Sequence, residues 1–213
     1  MNSEIKTWNT NLPSPQTDSI VSLEQTLLKR RSHRNFLNDA INLEELSQIL
    51  WAAYGITKSK NFPPSLQGGF KTAPSAGATY PLNLYAVAGN VKGIETGVYR
   101  YISLDHKLKR MIDEDVRQFL AQAAFDQEMI RIAPAAIFFS AVFERATKRY
   151  GNRGRDRYVC TDLGHSAQNV YLQAEALNLG TCAIGAFNDK QVREVMQLSE
   201  EEEPLYIMPV GKY

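Results

Sequence analysis

Ala133-Pro134-Ala135-Ala136-Ile137-Phe138-Phe139-Ser140-Ala141-Val142-Phe143 is the longest strongly apolar stretch of the chain. It is too short to cross a bilayer as a helix, which needs about 20 residues, and Pro134 and Ser140 interrupt it. From Ala135 it reads as a strand covered on both faces, because a half-solvated strand would alternate apolar with polar residues. On its C-terminal side, Leu163, Ala167, Val170, Tyr171, Ala174 and Leu177 repeat at three- and four-residue intervals, which predicts a helix from Asp162 that ends at Gly180. Residues 181–187 then read as a short strand, 189–196 as a helix and 205–210 as a closing strand before Gly211-Lys212-Tyr213. On the N-terminal side, 82–88 and 97–102 read as strands and 115–124 as a helix. Ser22 and Gln25 form a capping-box pair that opens a helix with Leu23, Leu27 and Leu28 facing inward. Asn42 and Glu45 open a second, with Leu43, Leu46, Ile49, Leu50 and Ala53 on one face and Gly55 as its stop. Helices and strands alternate without a regular βαβ unit, so the fold class is α+β, a central sheet with helices packed around it.

Composition narrows the function. With 213 residues, 44% hydrophobic and 22% charged, one domain is the default; residues 1–20 read as a loose arm and 21–213 as the domain. Lys plus Arg (24) nearly balance Asp plus Glu (23), so nucleic acid and anionic membranes are not expected as general partners. Cys160 and Cys182 lack metal-type spacing with each other or with His33, His106 and His165, so no metal site is expected and a reduced, cytoplasmic setting fits. The polar N-terminus, with Pro13 and Pro15, lacks the apolar core of a signal peptide.

No Gly-x-Gly-x-x-Gly, P-loop, His-Glu-x-x-His or Gly-x-Ser-x-Gly occurs, which leaves no dinucleotide fold or hydrolytic apparatus in view. Lys29-Arg30-Arg31-Ser32-His33-Arg34 lies where the first helix gives way to a loop. Two readings compete. Guanidinium groups with a hydroxyl between them make a phosphate clamp, since the planar fork binds phosphate oxygens in pairs; a solvated basic helix end, favoured by the helix dipole, has the same composition. Residues 58–69, with Pro63, Pro64, Gly68 and Gly69, read as a surface loop long enough for a lid. Residues 72–81 form a small-residue segment held by Pro74 and Pro81, which lets backbone approach something flat. His165 and Cys182 read as packing residues, Tyr171 as core, and the run Glu200 to Glu203 as a solvated surface.

Arg30-Arg31-Ser32-His33-Arg34 resembles the Arg-Arg-Ser-x-Arg signature that opens the nitroreductase-like FMN oxidoreductases. Pro74-Ser75-Ala76-Gly77-Ala78-Thr79-Tyr80-Pro81 is similar to a segment of their SagB/ThcOx-type dehydrogenase branch, which includes azoline oxidases of peptide pathways. Residues 164–169, 179–187 and 204–212 add further matches in the family's order, from Ser22 to the C-terminus. The resemblance implies a nitroreductase-like fold, with a mostly antiparallel central sheet flanked by helices in an intertwined homodimer. It implies that Arg30, Ser32 and Arg34, with Arg31 contributing less, hold the FMN ribityl and phosphate, and that Lys212 meets the same phosphate. Pro74, Ser75, Ala76 and Gly77 match a stretch lining the flavin ring from the other subunit. Ile184, Gly185 and Ala186 match the strand along the ring edge; Gly185 stands where classical nitroreductases carry Glu, but agrees with the SagB/ThcOx branch.

The implied activity is transfer of two electrons between a small organic substrate and a second donor or acceptor such as NAD(P)H, by a ping-pong mechanism. A departure bears on the azoline alternative. The Lys-Tyr pair associated with proton transfer there is matched here by Arg149-Tyr150, and arginine is a poor acid/base replacement for lysine. Tyr150 is therefore the catalytic candidate on the protein side. The remaining alternatives are a non-catalytic flavin-binding or sensing module, and an anion- or nucleic-acid-binding face formed by the arginine-rich head with residues 145–157.

Overall fold

A computed structural model describes residues 9–59 and 69–213. Its centre is a seven-stranded sheet ordered β1-β8-β7-β5-β9-β11-β10, comprising β1 (Asn9–Asn11), β5 (Leu82–Ala88), β7 (Gly97–Ile102), β8 (Lys107–Ile112), β9 (Ala135–Ala141), β10 (Gly180–Thr181) and β11 (Glu203–Gly211). Every pairing within it is antiparallel, in line with the expected architecture. Two small sheets flank it, a parallel pair β2 (Ile41–Asn42) with β6 (Val91–Lys92), and an antiparallel pair β3 (Ile56–Ser59) with β4 (Gly69–Lys71).

The apolar run becomes β9, flanked by β5 and β11 and buried at all seven positions. Its side chains alternate between two cores. Ala135, Ile137, Phe139 and Ala141 join Leu46, Ile49 and Leu50 of α2 (Leu43–Tyr54) and Leu163, Ala167 and Val170 of α6 (Val159–Ala176). Ala136 and Phe138 join the opposite core with Leu120 of α3 (Arg117–Ala123), Ile130 of α4 (Glu128–Ile132) and Val192 of α7 (Asp189–Val195). A strand that serves two cores has no solvated polar face, which accounts for its near-continuous hydrophobicity; the hydroxyl of Ser140 is satisfied by Glu202.

Local signals set the helix ends. Asn42 and Glu45 make both halves of the capping box on α2. α6 starts before the expected Asp162: α5 (Glu144–Tyr150) ends at Gly151, which has φ 56°, and a π-helical turn at Gly154–Tyr158 then leads into α6. It ends at Asn178, not at Gly180: Asn178 adopts φ 55°, and the N–H groups of Leu179 and Asn178 donate to the Ala174 and Glu175 carbonyls at 2.8 and 3.1 Å. This is a Schellman cap with asparagine in the left-handed position.

Several expectations need correction. In α1 (Leu23–Lys29) Ser22 caps as expected, accepting from the Gln25 N–H, but Leu23, Leu27 and Leu28 are exposed and Thr26 is the buried residue. The helix meets α6 by its Thr26 side, which turns the leucines away from the core. The arm is docked from Asn9, whose strand pairs with β8, and Ser47 Oγ donates to the Pro13 carbonyl at 2.7 Å. The ends of the expected 58–69 loop are paired strand, Lys58 opposite Phe70; its middle lies outside the described residues. The expected strand at 181–187 shrinks to β10 and a single bridge between Ile184 and Ile207. The acidic run is not simply solvated. Glu202 is buried and accepts from the Tyr85 and Ser140 hydroxyls at 2.8 and 2.5 Å, while Glu203 receives both terminal nitrogens of Arg155.

Candidate functional site

The residues of the basic cluster diverge after α1. Arg30 is the C-cap, with φ −46° and ψ 125°, so the chain leaves the helix in an extended conformation. The His33 N–H then donates to the Thr181 carbonyl at 3.0 Å, and the Leu37 N–H to the Lys212 carbonyl at 2.9 Å. These bonds lay residues 33–37 along the sheet edge where β10 and the end of β11 meet. The approach requires a glycine at 180, because a Cβ there would sit 2.7 Å from His33 Cβ. Arg30, Ser32, Arg34 and Lys212 are thereby brought to one edge.

Tyr171 of α6 ties this edge together. Its hydroxyl accepts from the Ala183 N–H at 2.8 Å and lies 3.1 Å from Ser32 Oγ, and the Arg30 guanidinium stands 5.3 Å from its ring centroid. The sequence reading as plain core missed this role. Arg34 lies close enough to Cys182 for its charge to oppose the upward push of burial on that thiol. Cys182 is otherwise a small buried apolar residue against Met129, as read from the sequence. Arg31 turns back, its Nη1 donating to the Leu28 and Arg30 carbonyls at 3.0 and 2.8 Å. For Arg31 alone the helix-end reading accounts for the side chain. Among the described residues none of Arg30, Arg31 and Arg34 pairs with a carboxylate, and Lys212 Nζ stands 3.8 Å from Asp39.

Beside the cations, Ile184 is buried on Ile207, whereas Gly185 and Ala186 are exposed. Gln127 Nε2 donates to the Ala186 carbonyl at 2.9 Å. No sequence signal marked Gln127, which arrives through the turn between α3 and α4 where Phe125 and Asp126 have φ 56° and 58°.

The second group of residues surrounds the opposite part of α6. Gly77, Ala78 and Tyr80 have φ 58°, 54° and 43°, an unusual density of left-handed backbone. A carboxylate holds the segment: Ser75 Oγ donates to Asp162 Oδ2 at 2.5 Å and the Ala76 N–H to Oδ1 at 3.3 Å, while the Tyr80 N–H donates to Ser75 Oγ at 2.9 Å. Burial pushes the Asp162 carboxyl up, and these two hydrogen bonds pull it partly back. Arg149 Nη1 donates to the Gly77 carbonyl, and His165 Nδ1 lies 3.2 Å from the Pro74 carbonyl. His165 is hydrogen-bonded, as read from the sequence, but exposed rather than packed in the core; it braces this segment. A Cβ at Gly77 would meet the Tyr150 hydroxyl at 2.2 Å, so the catalytic candidate sits directly against the small-residue segment.

The two groups do not converge within one chain. Asp162 and Tyr171 are nine residues apart on α6, which places them about 14 Å along the axis and half a turn round it. The face between carries exposed Thr161, Gly164, His165 and Gln168. Among the described residues no group of three His, Cys, Asp or Glu forms a metal-type cluster, and no helix is long and apolar enough to cross a membrane.

Residues 27–212 match a family model described as the Nitroreductase family. A protein of Methanocaldococcus jannaschii named for the nitroreductases is 48% identical over 192 residues, 90% of this chain and 91% of the relative. The crystal structure of a Ralstonia eutropha protein assigned to the nitroreductases superposes with a TM-score of 0.81 at 29% identity, covering 96% of this chain and 89% of that one. The trifolitoxin-processing protein TfxB of Rhizobium leguminosarum bv. trifolii is 29% identical over 166 residues; these are 76% of this chain and 44% of that longer protein.

Proposed function

The chain belongs to the nitroreductase family of oxidoreductases, and on that footing we propose that it binds FMN between two copies of itself and works as a SagB-type dehydrogenase or reductase on a small organic substrate. The observation that carries this reading is the separation of the two residue groups around α6. One group offers Arg30, Ser32, Arg34 and Lys212, a donor set suited to a phosphate. The other offers Pro74, Ser75, Ala76 and Gly77, a flat wall of small residues. A mononucleotide that touches both therefore needs the second group from a partner chain. The exposed leucines of α1 and the exposed stripe on α6 supply apolar and small-residue surface for such an interface.

Bound FMN would supply two-electron hydride chemistry, and sharing of one site by NAD(P)H and the oxidant gives ping-pong kinetics. The chain's own contributions are binding and positioning. Arg30, Ser32 and Arg34 donate to the phosphate and ribityl oxygens, with Lys212 as a fourth cation. Gly185 and Ala186 leave room for a ring edge and present backbone groups to its polar atoms, and Gln127 fixes the Ala186 carbonyl. Tyr150 is the hydroxyl available beside the wall, and Asp162 keeps that wall in shape through Ser75 and Ala76. A cytoplasmic setting, where reduced nicotinamides are plentiful, belongs to the same reading.

A second reading, oxidation of azolines in a modified peptide, is favoured by the resemblance to a trifolitoxin-processing protein and by the placement of Tyr150. The deciding experiment is an absorbance spectrum of the purified protein after incubation with excess FMN and removal of free flavin, then anaerobic titration with NADH and NADPH. A yellow dimer bleached by a nicotinamide is expected. A colourless monomer overturns the proposal, and a yellow protein that no nicotinamide reduces shifts the reading to a flavin-binding module or an azoline oxidase.

A further inference from the structure

A cationic cavity is lined by none of the residues assigned to FMN. It has a volume of about 190 Å³ and is formed by β5 and β7 with Tyr54 at the end of α2, Lys71 on β4, the turn at Ser103 and Arg145 on α5. Lys71, Arg100 and Arg145 line it, and no Asp or Glu does. Among the described residues none of these three cations makes an ion pair. Their hydrogen bonds go to neutral oxygens. Lys71 Nζ donates to Ser103 Oγ at 2.7 Å, Arg100 and Arg145 each donate to Asn83 Oδ1 at 3.2 Å, and Arg145 also donates to the Tyr80 carbonyl at 3.3 Å.

The buried charge is incompletely compensated. Lys71 Nζ sits 4.1 Å from the Tyr54 ring centroid. Burial, reinforced by the Arg145 charge, brings its pKa down to about 7. The Tyr54 hydroxyl is buried with no hydrogen-bond partner of ordinary geometry. Of the acids whose field reaches the arginines, Glu202 acts on both Arg100 and Arg145 and is already engaged by Tyr85 and Ser140, while Glu201 acts more weakly on Arg145 and does not line the cavity. Cations drawn partly out of water without an anion are costly, and a site that gathers three of them is organised for one.

We propose that this cavity is a binding site for a small anion, the carboxylate or phosphate of a compact metabolite, held by Lys71, Arg100 and Arg145. The volume matches about six water molecules, room for an anionic group with a short apolar stem against Leu82 and Leu84. The ligand would sit behind the 74–81 segment, because Arg145 bonds the Tyr80 carbonyl and the Tyr54 ring meets the Tyr80 ring edge-on at 6.0 Å. This site stands independently of the FMN reading.

Calorimetric titration with inorganic phosphate and with succinate, at constant ionic strength set by chloride and at pH 6.5, tests it. FMN-saturated wild type keeps the arginine clamp occupied, and Arg34→Gln cripples that clamp whether or not FMN binds there. Binding is expected in both proteins and weaker by tenfold or more in Lys71→Met, the loss of one charge-assisted contact; Lys71→Arg should restore part of it. Phosphate alone or succinate alone binding in this pattern identifies which source the site takes. Equal affinity in wild type and Lys71→Met, loss of binding in Arg34→Gln, or no heat with either anion overturns the proposal. Should Lys71→Met not fold, Arg100→Gln serves the same comparison.

Discussion

Replacing Asp162 with alanine removes two hydrogen bonds that shape the proposed flavin wall. Asp162 is buried, with 1% of its surface exposed, and accepts from Ser75 Oγ and the Ala76 N–H. Hydrogen bonds to an ionised acceptor contribute about 1.5–3 kcal/mol each, a gross loss of roughly 3–6 kcal/mol. Two effects offset it. Alanine buries no charge, and the upward push of burial on the Asp162 carboxyl shows that this charge is costly. The left-handed residues Ala78 and Tyr80 also relax in part once the tether is gone, and the two offsets together return about 1–3 kcal/mol. The net cost should be about 2–3 kcal/mol, or roughly 4–12 °C in Tm for a chain of this length, read by circular dichroism melting. Asp162→Asn retains an acceptor and should lose less than half as much. FMN affinity, followed by flavin fluorescence quenching, should fall more steeply for alanine than for asparagine. A Tm within about 1 °C of wild type would refute the tether. A destabilised variant with unchanged FMN affinity would refute the link between the tether and the flavin.

Arg34→Glu should abolish flavin retention while leaving the far-ultraviolet spectrum unchanged, because it sets an anion against the phosphate; unchanged FMN content removes the clamp assignment. Tyr171→Phe removes the acceptor of the Ala183 N–H and the neighbour of Ser32, and should weaken FMN about fivefold to tenfold, measured by equilibrium dialysis. Phe138→Ala, at a fully buried position of the α3–α7 core, should cost about 3–5 kcal/mol in urea unfolding. Burial lowers the His106 pKa from its ordinary value, and its ring bonds Tyr101, Ser47 and the Pro13 carbonyl. The unfolded chain therefore takes up this proton first as pH falls. Stability that is full above about pH 6.5 should decline through more acid values, and the decline should be smaller in His106→Gln when urea midpoints are compared.

What the sequence revealed tracks how local each signal is. The Asn42 box, the Ser22 cap and the three-four repeat of α6 depend on neighbours within a turn or two, and each produced its element. β9 was legible because burial on two sides leaves a continuous apolar run. β8, in which Lys107 and Lys109 alternate with Leu108 and Arg110 before Ile112, was not anticipated: charged residues break its apolar pattern, and its place in the sheet comes from its partners. Leu23, Leu27 and Leu28 carry the pattern of a buried face, but the pattern says only that they want covering, not that their own chain provides the cover. The basic cluster and Lys212 were visible as residue types, yet their proximity depends on Leu37 bonding the Lys212 carbonyl across the molecule. Gln127, Asp162 and the Tyr171 hydroxyl had no motif to mark them, since each acts through a long-range backbone contact.

The residues around Tyr150 bear on which chemistry the proposed site favours. Arg149, which the sequence resemblance matches to the lysine of the azoline oxidases, is committed to the Gly77 carbonyl, and a guanidinium does not release its proton near neutrality. Tyr150 packs edge-on against Tyr158 at 4.8 Å, and Tyr158 in turn accepts from Arg153 Nε. Tyr158 closes the π-helical turn at Gly154–Tyr158, and such turns are frequent at functional sites. The arrangement fixes one phenol beside the wall, and the exposed imidazole of His165, at the Pro74 carbonyl, is a second titratable group there. Oxidation of an azoline needs a base to take a carbon-bound proton as hydride leaves. Reduction of a small acceptor can draw its proton from solvent at the exposed Gly77 and Gly185 edges. Tyr150→Phe separates the two proposed activities: it should slow an azoline oxidase severely and a solvent-protonated reduction only a few-fold.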